Sequence, residues 1–196
     1  MHWGYVFFLN SVLLGIGLAM DCFSLSLVNG LNEPRMKPSK MSFIALVFGF
    51  FQALMPLIGW VCVHTVVEKF RVFEKFVPWI ALGLLGYIGG KMLYEGLHDG
   101  EDGDKEAPAV TVGDLLIQGI ATAIDALSVG FTIADLHVVQ ASVEAVIIGA
   151  MTFAISIAGL LIGRRFGTAL SGKSSIFGGI ILIGIGLEIF IKGLFF

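Results

Sequence analysis

Charged residues are scarce in this chain, at 14% of its 196 positions, whereas apolar residues make up 57%. The mean hydropathy is +0.93. A soluble domain of this size could not bury so much apolar surface, so the composition indicates a polytopic protein embedded in a lipid bilayer. The few basic residues form no patch that would bind nucleic acid, and no feature of the sequence indicates a protein partner.

Several motifs are also absent. Cysteine occurs only as Cys22 and Cys62, both in apolar segments, which excludes a CxxC redox motif and argues against a structural disulfide. No Walker A motif is present, so ATP is not the direct energy source for any transport. No segment alternates like a transmembrane barrel strand. The first apolar run has no positive n-region and no cleavage site, and we interpret it as a retained helix.

Six apolar segments are long enough to span a bilayer as helices, which predicts an all-α fold with six transmembrane helices. Their approximate bounds are 5–28, 43–66, 77–97, 115–134, 141–163 and 176–196. Residues 98–114 form the only long hydrophilic stretch, and Gly, Asp and Glu dominate it. This composition predicts a flexible acidic linker. The stretch lacks the residue spacing of an EF-hand loop, so it is not interpreted as a calcium site.

The distribution of Lys and Arg predicts the orientation in the membrane. With the amino terminus outside, the three links that face the cytoplasm carry seven basic residues, and the two outer links carry three. The cytoplasmic set is Arg35, Lys37, Lys40, Lys105, Arg164, Arg165 and Lys173, and the outer set is Lys69, Arg71 and Lys75. Both termini are therefore predicted to lie outside.

The two halves of the chain share motifs. Residues 15–24 and 119–128 both have the pattern Gly-x5-Asp-x2-Ser, and further matches join the second helix to the fifth and the third to the sixth. The chain is thus predicted to contain two three-helix repeats, 1–97 and 115–196, joined by the linker 98–114. Since three is odd, the repeats enter the membrane from opposite sides, which is a transporter architecture with its site near the midplane.

Asp21 and Asp125 are the first candidate site residues. An ionisable side chain within the membrane is energetically unfavourable, so its presence there indicates a function. The alternative is that each Asp bonds a neighbouring helix and only holds the bundle together. The polar residues Gln118, Thr122 and Ser128 share one helical face with Asp125, and Ser24 follows Asp21 on its own face. Two facing carboxylates suit a divalent cation such as Mn²⁺, Mg²⁺ or Ca²⁺.

Gln52 and Pro56 form a second constellation, with Thr152 and Ser156 at the matching positions. Proline has no N–H, so the carbonyl of Gln52 loses its helical partner, and the Gln52 side chain adds another oxygen. Ser156 is expected to bond back to the carbonyl of Thr152 and bend its helix. Both helices are predicted to be locally broken, and such backbone either lines a cavity or is a packing kink.

Two further pairs of charged residues lie four positions apart near helix ends. Lys91 pairs with Glu95, and Glu188 pairs with Lys192 in the reverse order. Such pairs neutralise one another and extend to the membrane surface, so we expect a structural role, with Glu188 the deeper carboxylate.

Four segments together resemble the bacterial MntP-type manganese efflux pumps of the lysine-exporter superfamily. They are residues 19–24, 48–60, 94–96 and 123–130, and the likeness covers essentially the whole chain. The resemblance implies an inner-membrane exporter of Mn²⁺ whose functional aspartates correspond to Asp21 and Asp125. Some members of that family have Glu where this chain has Gln52.

The function predicted is secondary transport rather than enzymatic catalysis. Mn²⁺, the transported substrate, would bind between Asp21 and Asp125 with oxygens from Gln52 and Thr152, without a cofactor. Exchange for protons is expected, because two bare carboxylates are unfavourable in a poorly hydrated cavity. The alternatives are another cargo (Cd²⁺, Ca²⁺ or an amino acid) or an intramembrane aspartyl protease, whose Tyr-Asp and Gly-x-Gly-Asp motifs differ from Met20-Asp21 and Ile124-Asp125.

Overall fold

The computed structural model describes residues 4–65, 77–98, 110–169 and 174–195, and these residues form an all-helical protein. The helices are α1 (Tyr5–Asn32), α2 (Pro38–Thr65), α3 (Val77–His98), α4 (Val112–Thr132), α5 (Val138–Ala169) and α6 (Ser174–Phe195). Each predicted apolar segment therefore corresponds to one helix, which confirms the all-α fold class.

Four of these helices are long and apolar enough to cross a membrane, by a search of the described residues. The spans are Phe7–Asn32, Pro38–Val63, Val112–Gly130 and Val138–Gly167. Large apolar side chains lie exposed along their outer faces, including Leu46, Phe50, Val146 and Leu161. An outer surface of this kind requires lipid around it, so the chain is a multi-pass membrane protein.

Several predicted links are in fact helical. The link predicted to run from Asn29 to Ser42 contains only residues 33–37, because α1 continues to Asn32 and α2 begins at Pro38. Arg164 and Arg165 were predicted to lie in the fifth link, but they belong to the last turns of α5. Polar residues extend these helices beyond their apolar parts, and hydropathy does not detect such extensions.

Other predictions fall outside the described residues. They concern the second link at 66–76, which contains Lys69, Arg71 and Lys75, the greater part of the acidic linker, at 99–109, and Lys173 in the fifth link. The division into the repeats 1–97 and 115–196 around a linker at 98–114 stays a prediction.

The start of α4 is set by a reciprocal cap. The Thr111 hydroxyl accepts a hydrogen bond from the Asp114 backbone N–H (3.2 Å), and the Asp114 carboxylate accepts one from the Thr111 N–H (3.2 Å). This arrangement satisfies two backbone donors that have no partner at a helix N-terminus. It fixes where α4, which carries Asp125, enters the bundle.

Helices pack mainly across the two halves of the chain. The most extensive contacts join α1 to α5, α2 to both α4 and α5, and α3 to α6, whereas α1 and α2 touch only slightly. Buried apolar residues from both halves, such as Leu25, Phe48 and Leu160, form the core. The site must therefore be built where helices of the two halves meet.

Close approaches between helices recur in pairs with the two halves exchanged. The backbones approach most closely where glycine leaves room for them. Gly15 lies against Met151 and Gly119 against Phe51, while Gly159 lies against Phe23 and Ser26 and Gly59 against Leu127 and Gly130. The α2–α5 crossing joins Gly49 to Gly149, which occupy matching positions in the two halves.

Candidate functional site

Asp21 and Asp125 lie on α1 and α4, at the place where these helices meet. There the Cys22 thiol donates a buried hydrogen bond to the Thr122 hydroxyl (3.5 Å). Asp21 is adjacent to Cys22, and Asp125 follows Thr122 by almost one turn. Both aspartates are half-buried. The structure thus brings the two carboxylate-bearing helices together at a contact one residue from Asp21 and three residues from Asp125.

Gln52 reaches the same region from α2. Its side chain is fully buried, and its Nε2 donates a hydrogen bond to the Leu18 carbonyl (2.8 Å), almost one turn before Asp21 on α1. Its Oε1 is buried and has no hydrogen-bond partner. An acceptor left unsatisfied in the interior costs about 1–3 kcal/mol, so this oxygen is suited to a cation.

Thr152 and Ser156 on α5 are also fully buried, and neither hydroxyl oxygen has a hydrogen-bond partner. The predicted bond from Ser156 back to the Thr152 carbonyl is therefore wrong. The predicted local breaks are wrong as well, since α2 runs unbroken past Pro56 and α5 is continuous. Tight packing accounts for the difference, because the Pro56 carbonyl lies directly against Gly130 and the neighbouring helix supports the turn.

The polar stripe of α4 connects to α1 beyond the aspartates. The Thr122 hydroxyl donates to the Gln118 carbonyl (2.9 Å), and Asn29 Nδ2 donates to Gln118 Oε1 (2.9 Å). All three side chains are at least 98% buried. These residues close the space between α1 and α4 on the side where α1 ends and α4 begins.

Two of the predicted pathway residues lie outside this buried cluster. The half-buried Ser24 hydroxyl donates to the Met20 carbonyl of its own helix (3.1 Å). Ser128 is exposed. The shared face predicted from helical spacing therefore holds for Gln118 and Thr122 but not for the two serines.

The two predicted charge pairs lie on α3 and α6, away from the aspartates. The side chains of Lys91 and Glu188 are exposed, and both the structural role of these pairs and the greater membrane depth of Glu188 stay predictions. The side chains of Glu95 and Lys192 are outside the described residues.

Within the described part of the chain, no group of three or more His, Cys, Asp or Glu side chains could hold a metal ion. Any cation between Asp21 and Asp125 would therefore need neutral oxygens to complete its shell. Gln52, Thr152 and Ser156 contribute three such buried oxygens without partners.

Comparison with known proteins agrees with these features. A family model described as "Putative manganese efflux pump" matches residues 35–190. The chain belongs to this Mntp family. Three relatives are named "Putative manganese efflux pump MntP". The relative from Methanosarcina mazei is 42% identical over 93% of this chain and 95% of its own length, and the one from Rippkaea orientalis is 42% identical over 95% of this chain and 97% of its own length. The relative from Sorangium cellulosum is 38% identical over 93% of this chain and 95% of its own length. These relatives are named as pumps rather than enzymes, and no solved structure matches the chain.

This member of the Mntp family has an open surface groove along α1. A cavity of about 560 Å³ is lined by residues from one face of α1: Asn10, Leu13, Leu14, Gly17 and Leu18. The Leu18 carbonyl accepts the hydrogen bond from Gln52. The groove therefore lies along the amino-terminal half of α1, and one residue of its lining is bonded to Gln52.

Sequence reasoning missed Glu144 and Gln140. Both side chains lie on α5 and are more than 90% buried. Glu144 is a single carboxylate within the apolar span Val138–Gly167, so the same argument that singled out the two aspartates could have found it. It was overlooked because it has no counterpart in the repeat, where Ile44 occupies the matching position.

Proposed function

We propose that this Mntp family member exports Mn²⁺ from the cytoplasm across the bacterial inner membrane, with both termini outside. The observation that carries this proposal is the cluster of buried oxygens without partners next to two membrane-embedded aspartates. The names of its relatives support manganese as the cargo and export as the direction. Exclusion of enzymatic activity follows from the same relatives, which are named as pumps.

The proposed architecture is six transmembrane helices in two inverted repeats. Its support is the pattern of close contacts, in which α1 runs parallel to α5, the second helix of the other half. Short links make α4 antiparallel to α5, so α1 and α4 run in opposite directions although they occupy matching positions. Equivalent helices of opposite direction are what an inverted repeat requires.

The proposed metal site combines four oxygen-bearing side chains, one from each of four helices. They are the carboxylates of Asp21 and Asp125, Oε1 of Gln52 and the hydroxyl of Thr152. Mn²⁺ favours carboxylate, carbonyl and water oxygens, and this set offers two negative charges that match the charge of the ion. Ser156 lies one turn from Thr152 and is the nearest additional oxygen on that helix.

Access to the site differs between its two sides. The Asn29–Gln118 hydrogen bond closes the side where the α1–α2 link lies, which the Lys and Arg distribution predicts to be cytoplasmic. The groove along α1 lies on the opposite side, and its lining includes Leu18, whose carbonyl bonds Gln52. This asymmetry supports an outward-facing state, from which the metal would leave toward the outside.

Coupling to protons follows from the charges of the site. Without metal, two carboxylates in a poorly hydrated place repel one another, so the empty pair is expected to hold at least one proton near neutral pH. Binding of Mn²⁺ displaces that proton, and reloading from outside lets the empty site turn inward. No cofactor is required for this exchange.

The site is tested by Asp21→Asn and Asp125→Asn. Each change keeps the shape of the side chain and removes its charge, so we expect loss of protection against excess manganese while the protein still reaches the membrane. Cellular manganese, cadmium and calcium contents identify the cargo. Asp135→Asn, on an exposed link residue, is the matched control. Protection of wild-type strength from both single variants would eliminate the two-aspartate site.

The coupling is tested in proteoliposomes loaded with Mn²⁺ under a pH gradient of either direction. We expect Mn²⁺ to leave the vesicles faster when the outside is more acidic than the inside, so that protons move inward as the metal moves outward. We also expect metal binding to release protons. Transport that ignores the gradient would leave membrane potential or facilitated flow as the driving force.

A further inference from the structure

Glu144 is a buried carboxylate that the proposed transport site does not use. It lies on α5 and is only 4% exposed. Among the described residues, no hydrogen bond or ion pair involves its side chain. A buried carboxylate without a partner is unfavourable in a membrane-spanning helix, and where it persists it commonly meets an ion or a proton.

A second unsatisfied polar side chain lies next to it. Gln140 precedes Glu144 by four residues, which places both on one face of α5 one turn apart. Gln140 is 8% exposed, and its amide likewise has no hydrogen bond within the described part of the chain. Two adjacent oxygen-bearing side chains, each more than nine-tenths buried, thus have no hydrogen bond or ion pair with another described residue.

The register of α1 against α5 adds Ser11 to this place. Along this parallel interface, three contacts join an α1 residue to the α5 residue whose number is 133 higher: Gly15 with Ile148, Ser26 with Gly159, and Gly30 with Gly163. One turn before Gly15 and Ile148, the same register pairs Ser11 with Glu144. Ser11 is fully buried, and its hydroxyl donates to the Phe7 carbonyl (2.9 Å), which leaves its oxygen lone pairs available.

At this level another face of α5 packs against α2. Gly149 of α5 contacts Gly49 and Ala53, and α2 runs antiparallel to α5, so Pro56 lies closer to the level of Glu144. Proline has no N–H, so Pro56 itself donates no hydrogen bond at this level. The oxygen-bearing side chains at the level of Glu144 are therefore those of Gln140 on α5 and Ser11 on α1.

We propose that Glu144 is the centre of a second divalent-cation site, a relay between the aspartate pair and the amino-terminal end of α5. This proposal rests on the proposed function for its role in transport. Glu144 precedes Thr152 by eight residues, about 12 Å along the helix at 1.5 Å per residue. Conduction of an ion is favoured when several weak sites share the path, because each must release the ion to the next.

The test uses Tb³⁺, an oxygen-seeking ion whose luminescence is sensitised by nearby tryptophan. The Trp60 indole donates to the Leu136 carbonyl (3.0 Å), which places it at the end of α5 where Glu144 lies. Trp3→Phe and Trp79→Phe leave Trp60 as the sole tryptophan. Asp21→Asn and Asp125→Asn then remove the proposed transport site. We expect sensitised emission that Mn²⁺ competes away in this background, and its loss on adding Glu144→Gln.

Asp135→Asn in the same background is the control, because it removes an exposed carboxylate from the same end of α5, and we expect it to retain the emission. Absence of emission in the background protein, or emission unchanged by Glu144→Gln, would overturn the relay site. In the protein with both aspartates intact, Glu144→Gln should lower the maximal transport rate severalfold with little change in the half-saturating Mn²⁺ concentration. Failure of the proposed function is measured separately, by transport in the single aspartate variants.

Discussion

At the scale of single residues, Gln52 is a neutral side chain of the proposed metal site. The buried Gln52 uses its nitrogen to hold the Leu18 carbonyl and leaves its oxygen without a partner. A neutral ligand of this kind completes a metal shell without adding charge. Two carboxylates with neutral oxygens bind a divalent cation more weakly than three carboxylates do. The weaker site suits the proposed transporter, because a transporter must release its cargo.

Gln52→Glu is expected to bind Mn²⁺ severalfold more tightly and to transport it more slowly. The added charge strengthens metal binding and retards release, and loss of the amide N–H removes the hydrogen bond to Leu18. Calorimetric binding to purified protein and transport rates in proteoliposomes measure the two effects. An unchanged affinity would place Gln52 outside the metal shell, and Ser24→Ala, which changes a locally bonded hydroxyl, is the control.

At the scale of helices, close backbone approach at glycine decides how the elements pack. A methyl group at Gly149 would lie 2.8 Å from the Gly49 carbonyl oxygen and 2.9 Å from the Ala53 side chain. Without aqueous solvent between helices in lipid, association depends on such contacts. The α2–α5 crossing that they permit holds Gln52 and Thr152 near one another.

Gly149→Ala should destabilise the protein by about 1–3 kcal/mol, because the backbone opposite cannot move away without separating α2 from α5. Thermal unfolding in detergent, followed by circular dichroism, measures the effect. Gly86→Ala on α3 is the matched control, since a methyl group there meets nothing within 4 Å and should be neutral or stabilising. Equal losses of stability in both variants would contradict the packing argument.

At the scale of the whole molecule, the halves interleave instead of forming separate bodies. The α1–α5 interface joins the first half to the second along most of its length. A rocking of one half against the other would disrupt that interface. Motion of the α1–α5 pair against α2 and α4 would preserve that interface and open the contact between Asn29 on α1 and Gln118 on α4.

Orientation is a further property of the whole molecule. The end of α5 lies against the α1–α2 link, because Arg164 donates to the Pro34 carbonyl (3.1 Å), so the basic residues of these two segments share one face. In a protein with Cys22 and Cys62 replaced by alanine, a cysteine at exposed Lys37 should resist an impermeant thiol reagent applied outside. A cysteine at exposed Asp135 should react.

Reporter fusions test the same orientation independently. A reporter fused at Phe196 should act as external and one near Gly103 as cytoplasmic, and the reverse pattern would invert the direction of export.

The sequence by itself determined the helices and the membrane class, because each depends on local information, and it indicated the two aspartates as candidate site residues. Apolar length defines a span, and a carboxylate within such a span is visible without any fold. The matching Asp motifs of residues 15–24 and 119–128 also pointed to one shared site. Composition could not locate the helix ends that include Lys40 and Arg164, since polar residues at membrane surfaces continue a helix as readily as they end it.

Only the tertiary structure decided which polar side chains are buried and which have partners. Ser24 and Ser128 had the same spacing from their aspartates, yet the first bonds its own helix and the second is exposed. Ser156 was expected to bond its own backbone, but its hydroxyl is buried without a partner. The repeat drew attention away from Glu144, which the packing of α1 and α2 against α5 buries. Burial and hydrogen bonding arise from contacts between helices far apart in sequence, so spacing along one helix cannot determine them.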